Sequence, residues 1–277
     1  DRKNYEAHKS GTMKLQPFYE NAMDDMAHEF LKHLTGEIPM DYKGIGSFGN
    51  SSTTQTKLML DNDTTTYYTS GIAQKAGDWI GVDLRTIREV SEISILQGRN
   101  SIDDVDYFDH AVLEYSENGN NWKALTGELE KQYVIHWNGD PVKARYVRLK
   151  RLDSKRTNYA SVRSFEVNPL HAENLGFKLE TEDRQQALYA FDRNLGTSFE
   201  CSESIVFEVE KGIKSYILLT NRLSTPLKCK QLDAKGNLVS ETILDSPFSK
   251  IQLENKNVEK ISIEGTAEIF EIIAEKE

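Results

Sequence analysis

Cysteine is scarce in this chain. Cys201 and Cys229 stand far apart, with no CxxC motif. An even pair is compatible with one disulfide in a secreted protein, but two ordinary buried thiols is the simpler reading. Long apolar runs are missing as well. None approaches the ~18 residues that a membrane-spanning helix needs. The opening stretch DRKNYEAHKSG is polar and lacks the pattern of a signal peptide. It begins without Met and in mid-pattern, which reads as a piece excised from a larger protein. Basic residues are in deficit, 34 Lys and Arg against 44 Asp and Glu, for a net charge of −10. Nucleic acid is therefore not an expected partner, because binding it needs a basic stripe that displaces phosphate counterions. A neutral sugar tolerates this charge, whereas a strongly anionic polymer is repelled unless a local basic patch exists.

Catalytic motifs are absent too. There is no HExxH, GxSxG, P-loop or strand-to-helix GxGxxG, and the six histidines show no metal-ligand spacing. Two adjacent carboxylate pairs occur. Asp24-Asp25 falls on a helical stretch, where sequence neighbours point apart. Asp103-Asp104 falls in a solvated DDVD run. Glycoside hydrolysis needs two carboxyls across a cleft, one with its pKa raised by burial, and neither pair suggests that. The fragment is expected to be non-catalytic.

What is present points to a β protein. The 277 residues suffice for about two domains, and twelve Tyr, eleven Phe and three Trp supply sizeable cores. Residues 12–34 carry Leu15, Phe18, Ala22, Met23, Met26, Phe30, Leu31 and Leu34 at three- and four-residue intervals, which predicts a helix. Pro17 sits in its first turn, and Gly36 and Pro39 end it. One amphipathic helix cannot bury its stripe alone. It reads as the remnant of an upstream helical domain, or as a helix packed on the next one. From residue 40 onward, short β-rich runs alternate with turn clusters: IGVDL, EVSEISIL, HAVLEYS, KARYVRLKRL and VRSFEV, then SIVFEVE, KSYILLTN, PLKCKQLD, VSETIL, SKIQLE, KISIEG and AEIFEIIA. Asn118-Gly119 is a hairpin signal, and DAKGN at 233–237 is a second turn. Pro169 opens a linker. An internal repeat aligns LMLDNDTTTYYTS at 58–70 with LYAFDRNLGTSFECS at 188–202, pairing Asp61 with Asp192, Asp63 with Asn194, Thr66 with Thr197 and Tyr68 with Phe199. Ser164-Phe165-Glu166-Val167 matches Ile269-Phe270-Glu271-Ile272. The expected class is mainly β: two antiparallel β-sandwiches behind a short helical segment, with domains at 1–38, 39–169 and 170–277, the last a degenerate copy.

The first copy resembles the factor 5/8 type C (discoidin) superfamily and, within it, family 32 carbohydrate-binding modules. The marks come in order: the Asp-x-x-x-x-Thr-x-aromatic-x-Ser run at 61–70, Gly77-Asp78-Trp79 leading into Val82-Asp83-Leu84, Leu113-Glu114-Tyr115-Ser116, Asn118-Gly119-x-x-Trp122, Ala144-Arg145-Tyr146-Val147-Arg148-Leu149 and Phe165-Glu166-Val167. Tyr68 departs from a usual Trp and Asn62 from a usual Gly. The stretch ISILQGRNSIDDVDYFDHAVLEYS also resembles modules that follow the catalytic domain of glycoside hydrolase family 84. The resemblance implies galactose-binding-like sandwiches of jelly-roll type. It further implies a covalent link to the catalytic domain of a secreted or cell-surface β-N-acetylglucosaminidase or hyaluronidase, and a glycan partner ending in galactose or N-acetylglucosamine. Membrane insertion is not expected, because the loops lack consecutive Trp, Phe or Leu. The alternative is a pair of ligand-free spacers or protein-docking modules.

Two constellations could carry binding chemistry. The run Asp61-Asn62-Asp63-Thr64-Thr65-Thr66 is dense in the oxygen ligands that Ca²⁺ takes, six to eight at a time. Without metal it is an ordinary Asp/Thr turn. The resemblance implies that Asp61, Asp63 and Thr66, closed by the distant Glu166, hold a structural calcium. In the second copy Asn194 replaces a carboxylate, while Glu271 remains. Sugar recognition needs an aromatic face and planar polar groups. Residues 99–108 supply them: Arg99, which the resemblance makes the ligand-binding arginine, Asn100, Asp103, Asp104 and, as the stacking ring, Tyr107. Tyr67, Tyr159 and Trp137 are further aromatic candidates. The competing reading pairs Arg99 with Asp103 or Asp104 simply to hold the loop. His110 and His136 are possible sugar donors, though lone histidines are more often ordinary surface residues.

Overall fold

The computed structural model describes residues 42–49, 53–100, 106–153, 157–181, 183–193, 195 and 197–276. The helix expected over 12–34, the Asp24-Asp25 pair and the Asp103-Asp104 pair lie outside the described residues. What is described is mainly β, and it divides into two compact units with the boundary between Pro169 and Leu170. No helix among the described residues is long and apolar enough to cross a membrane.

The first unit contains β1 (Lys43–Gly46), α1 (Thr53–Lys57), β2 (Tyr68–Thr69), β3 (Trp79–Gln97), β4 (His110–Ser116), β5 (Lys123–Ala124), β6 (Leu129–Glu130), β7 (Val134–Arg151) and β8 (Ser161–Val167). Its strands pair antiparallel in the order β2-β8-β3-β7-β4-β5, with β1 on β3 and β6 on β4. The runs IGVDL and EVSEISIL, which the sequence presents as two strands, are one strand, β3. The intervening Arg85-Thr86-Ile87-Arg88 holds no Gly or Pro to turn the chain. The strand instead bends in place, with Arg85 at φ 66° and the ladder to β7 interrupted between Asp83 and Arg88. Asp83 pins the bend. Its carboxylate accepts from the Arg85 N–H at 2.8 Å and takes a two-pronged grip from Arg145, at 2.9 and 3.0 Å.

A second irregularity of this ladder lies at Pro141 on β7, where a missing N–H is tolerated because the register shifts between Val90 and Glu92. The Ser91 N–H turns to the Asn168 side chain at 2.9 Å instead. Both halves of the bent strands feed a single core. Ile80, Val82 and Leu84 come from one half, Val90, Ile93 and Ile95 from the other, and Tyr68, Leu113, Val147, Leu149 and Phe165 complete it. Each such side chain contributes about 1.5–3 kcal/mol by leaving water. The Asn118-Gly119 turn joins β4 to β5, with Gly119 at φ 76° and the Asn118 side chain accepting from the N–H groups of Asn120 and Asn121, both at 2.9 Å.

The second unit contains β9 (Leu179–Glu180), α2 (Arg184–Ala187), β10 (Phe199–Cys201), β11 (Ser204–Glu208), β12 (Ile213–Thr220), β13 (Leu227–Leu232), β14 (Leu238–Leu244), β15 (Phe248–Gln252), β16 (Lys260–Glu264) and β17 (Ala267–Lys276). It has two antiparallel sheets, β10-β17-β12-β15 and β14-β13-β16-β11-β9. Ile205, Phe207, Ile261 and Ile263 from one meet Tyr216, Leu218, Ile269 and Ile272 from the other in a common core. The DAKGN turn links β13 to β14, and its Asp233 carboxylate accepts from the N–H groups of Lys235 and Asn237 at 2.9 and 2.8 Å. Cys201 on β10 and Cys229 on β13 belong to different sheets, and both are buried free thiols.

Candidate functional site: a loop platform and an oxygen cage

Two buried glutamines organise one end of the first unit. Gln74 donates to the carbonyls of Tyr107 at 3.0 Å and Tyr159 at 2.9 Å. Gln97 donates to the Gln132 carbonyl at 2.7 Å and accepts from the Phe108 N–H at 2.9 Å. Neither group can be buried without such partners, so the loops before β4, β7 and β8 are tied together. Backbone bonds complete the platform: Gly98 N–H to Ser161 O at 2.8 Å and Ser161 N–H to Asp106 O at 3.0 Å. Gly98 sits at φ 80°, and a Cβ there would lie 2.6 Å from the Tyr133 ring, so only glycine permits this exit from β3.

Arg99 and Asn100 follow directly and are exposed. The Arg99 Nε meets Asp106 Oδ2 at 2.9 Å, with side-chain exposures of 45% and 10%. The guanidinium is thus presented to solvent by a largely buried carboxylate. Among the described residues the acid that meets Arg99 is Asp106, while Asp103 and Asp104, its expected partners, lie outside them. Three aspartates within four residues cannot be ranked without the backbone path.

Tyr107 is not an available stacking surface. It is 3% exposed and packs on Tyr133 with centroids 4.5 Å apart. The physical reason is the Gln74 bond, which draws the Tyr107 backbone inward and leaves its ring beneath the loop. Tyr159, two residues before Ser161, is 47% exposed, and Ile72 beside the Gln74 loop is also exposed. Tyr67 and Trp137 are partly buried, Trp137 against the core. Trp79 and Trp122 are engaged by Arg148, whose guanidinium lies 3.7 Å from the Trp122 ring centre. His110 pairs with Glu128 at 2.5 Å, and His136 approaches Glu92 at 3.9 Å.

A second feature lies in the loop before β2. The Thr66 hydroxyl stands 2.8 Å from Asp61 Oδ2, 3.0 Å from the Asp63 carbonyl and 3.2 Å from the Leu58 carbonyl. One O–H can satisfy only one of three acceptors. Three acceptors around one hydroxyl gather four oxygens in this loop, here termed the oxygen cage, and oxygen is the donor type that calcium takes. Burial pushes the Asp61 carboxyl up, although Thr66 and the Asp63 N–H bond to it. The Asp63 carboxylate turns away to accept from Thr65 N–H and Oγ1 at 2.8 and 2.6 Å, so Asp63 offers the cage its backbone carbonyl. The Leu58 carbonyl was invisible in sequence, because any residue can supply one. β8 reaches this loop through the Phe165 N–H, which donates to Met59 O at 2.8 Å, and Glu166 follows, accepting from Ser164 at 3.1 Å. In the second unit the Thr197 hydroxyl meets Asp192 Oδ2 at the same 2.8 Å, and Glu271 is 1% exposed.

No curated protein matches the chain by sequence. Similar solved structures include CpGH89CBM32-5 from Clostridium perfringens, in complex with GalNAc-β-1,3-galactose, at 18% identity and TM-score 0.38, covering 46% of this chain and 94% of that one. The family 32 module of NanJ from C. perfringens, in complex with galactose, is 14% identical at TM-score 0.38, covering 46% and 92%. Chitosan-binding module 2 of a Paenibacillus sp. IK-5 chitosanase/glucanase, with chitotriose, is 15% identical at TM-score 0.39, covering 46% and 96%. The family model for the F5/8 type C domain matches residues 45–165, from within β1 to within β8. What this chain is similar to, over residues 45–165, is therefore the F5/8 type C, or discoidin, domain.

Proposed function

We propose that the first unit is a non-catalytic carbohydrate-binding module, and that its sugar site is the loop platform around Arg99. The observation that carries this reading is the presentation of an exposed guanidinium by the nearly buried Asp106, on the same tied loops as the exposed Tyr159. The rigid N–H fork of Arg holds two neighbouring hydroxyl oxygens, a geometry Lys cannot copy. Asn100 adds both a donor and an acceptor, and the Tyr159 ring provides the apolar face. A terminal galactose or N-acetylglucosamine suits this set. One exposed sugar with few hydrogen bonds and one stacked ring binds weakly, near millimolar or about −4 kcal/mol. Asp103 and Asp104 are proposed as hydroxyl acceptors.

The oxygen cage of Leu58, Asp61, Asp63 and Thr66, closed by Glu166, is proposed to hold a structural calcium, which would tie the loop before β2 to β8. The parent is proposed to be a secreted or cell-surface glycoside hydrolase of β-N-acetylglucosaminidase or hyaluronidase type, with this region directing it to glycan. The second unit fits the ligand-free spacer reading better. Four of its aromatic rings are used internally, Phe177, Phe191, Phe207 and Tyr216 standing in successive contact at 5.1, 5.4 and 5.2 Å, and of the rest Phe248 is 48% exposed.

The test is a glycan array on the 277-residue chain, with and without chelator, together with NMR titration of galactose and N-acetylglucosamine. Binding to neither sugar, with no array signal, would favour the spacer reading for both units. Aryl N-acetylglucosaminide and hyaluronan should remain uncleaved.

A further inference from the structure

We infer that His110, Glu128 and Glu130 form a site for a transition-metal dication of the zinc class, separate from the oxygen cage and from the sugar platform. His110 is the first residue of β4, and β6 lies beside it with His110 opposite Glu130 and Ala111 opposite Leu129. The Lys131 N–H donates to the Asp109 carbonyl at 2.7 Å, which locks the two backbones together. Directly opposed residues of an antiparallel pair have Cβ atoms about 4.5–5.5 Å apart, and Glu128 immediately precedes β6. The donor atoms follow this geometry. Nδ1 of His110 and Oε1 of Glu128 are 2.5 Å apart, and ligand atoms of all three residues lie within 4.8 Å of one another.

The donor chemistry selects the metal. Zinc binds imidazole nitrogen and carboxylate oxygen at about 2.0–2.2 Å, and with three protein ligands it keeps a fourth position for water. Calcium and magnesium prefer sets made of oxygen alone, so an imidazole disfavours them. The site lies at the surface, with side-chain exposures of 30% for His110 and 49% for Glu128, so a dissolved ion can reach it.

The test is calorimetric titration of the full chain with zinc chloride, in a non-coordinating buffer with calcium saturating. Zinc should bind with a stoichiometry near one. His110→Ala and Glu130→Gln should each weaken it at least about tenfold, since groups that merely support metal ligands already contribute roughly 10–100-fold. Glu117→Gln, at an exposed acid outside all of these sites, should leave zinc binding unchanged. Cobalt should give the intense visible absorption of low-coordinate Co²⁺ in the wild type and lose it in His110→Ala. Circular dichroism without metal serves as the folding control, and His110→Gln replaces the alanine variant if that fails to fold. Absence of zinc binding, or equal zinc affinity in wild type and the folded histidine variant, would overturn the site. Sugar titrations play no part, so failure here is independent of the carbohydrate reading.

Discussion

Arg99 and Asp106 meet at 2.9 Å across a gradient of burial, the guanidinium largely in solvent and the carboxylate largely out of it. Removing the guanidinium should cost sugar binding about 1–3 kcal/mol, enough to abolish detectable binding at millimolar affinity. Asp106→Asn keeps a side chain of the same shape but weakens the grip on Arg99, so it should reduce binding without eliminating it. NMR titration of the three proteins decides the matter. Shifts of equal size in wild type and Arg99→Ala would place the sugar elsewhere.

Tyr159 and Tyr107 should behave in opposite ways. Tyr159→Ala removes an exposed ring and is expected to lose sugar binding with little change in melting temperature. Tyr107→Ala empties a buried position packed against Tyr133 and should cost about 3–5 kcal/mol of stability, as for other large aromatic truncations. Thermal melts alongside titrations separate the two. If Tyr107→Ala melted like wild type while losing sugar, the burial argument would fail.

Chelation should destabilise the first unit. A ligand that binds only the folded state adds about 2.7 kcal/mol when present at 100 times its Kd. Calcium should therefore raise the melting temperature of the wild type and do nothing for Asp61→Ala. Glu166→Gln is expected to weaken the calcium effect. A melting curve unmoved by excess chelator, from protein verified as metal-free beforehand, would count against the cage.

The same carboxylate predicts a pH dependence. Burial holds the Asp61 carboxyl above its ordinary value of 3.8, so the folded, metal-free protein binds that proton more tightly than the unfolded chain. Its contribution to stability is full below 3.8 and is lost as pH rises through the raised value. Calcium competes with that proton, so stabilisation by calcium should grow over the same window. The melting temperature of metal-free wild type, measured against Asp61→Asn, should fall as pH increases across it. A difference independent of pH would remove burial as the cause.

Burial raises the thiol pKa of Cys201, and that of Cys229 to about 12. The thiolate is the reactive form, so both should resist a thiol reagent at neutral pH until the second unit unfolds. Modification of the native protein at the rate of a free thiol would contradict this.

Much of the β architecture was legible from the sequence. Alternation of apolar residues marked the strands, and Asn118-Gly119 and Asp233–Asn237 marked two turns, because these patterns are local and the physics behind them is local. The repeat likewise announced that Asp61 and Thr66 belong together, as do Asp192 and Thr197, since each pair lies within one loop. The tertiary structure alone decided what depends on residues distant in sequence. It merged two expected strands into β3, because Asp83 is held by Arg145, sixty-two residues away. It placed Asp106 against Arg99, brought a Leu58 carbonyl to the Thr66 hydroxyl, and drew Tyr107 inward through Gln74 while leaving Tyr159 exposed. Residue type records what a side chain can do. Which ring is buried and which carboxylate faces an arginine follow from how the folded backbone shares its limited interior among them.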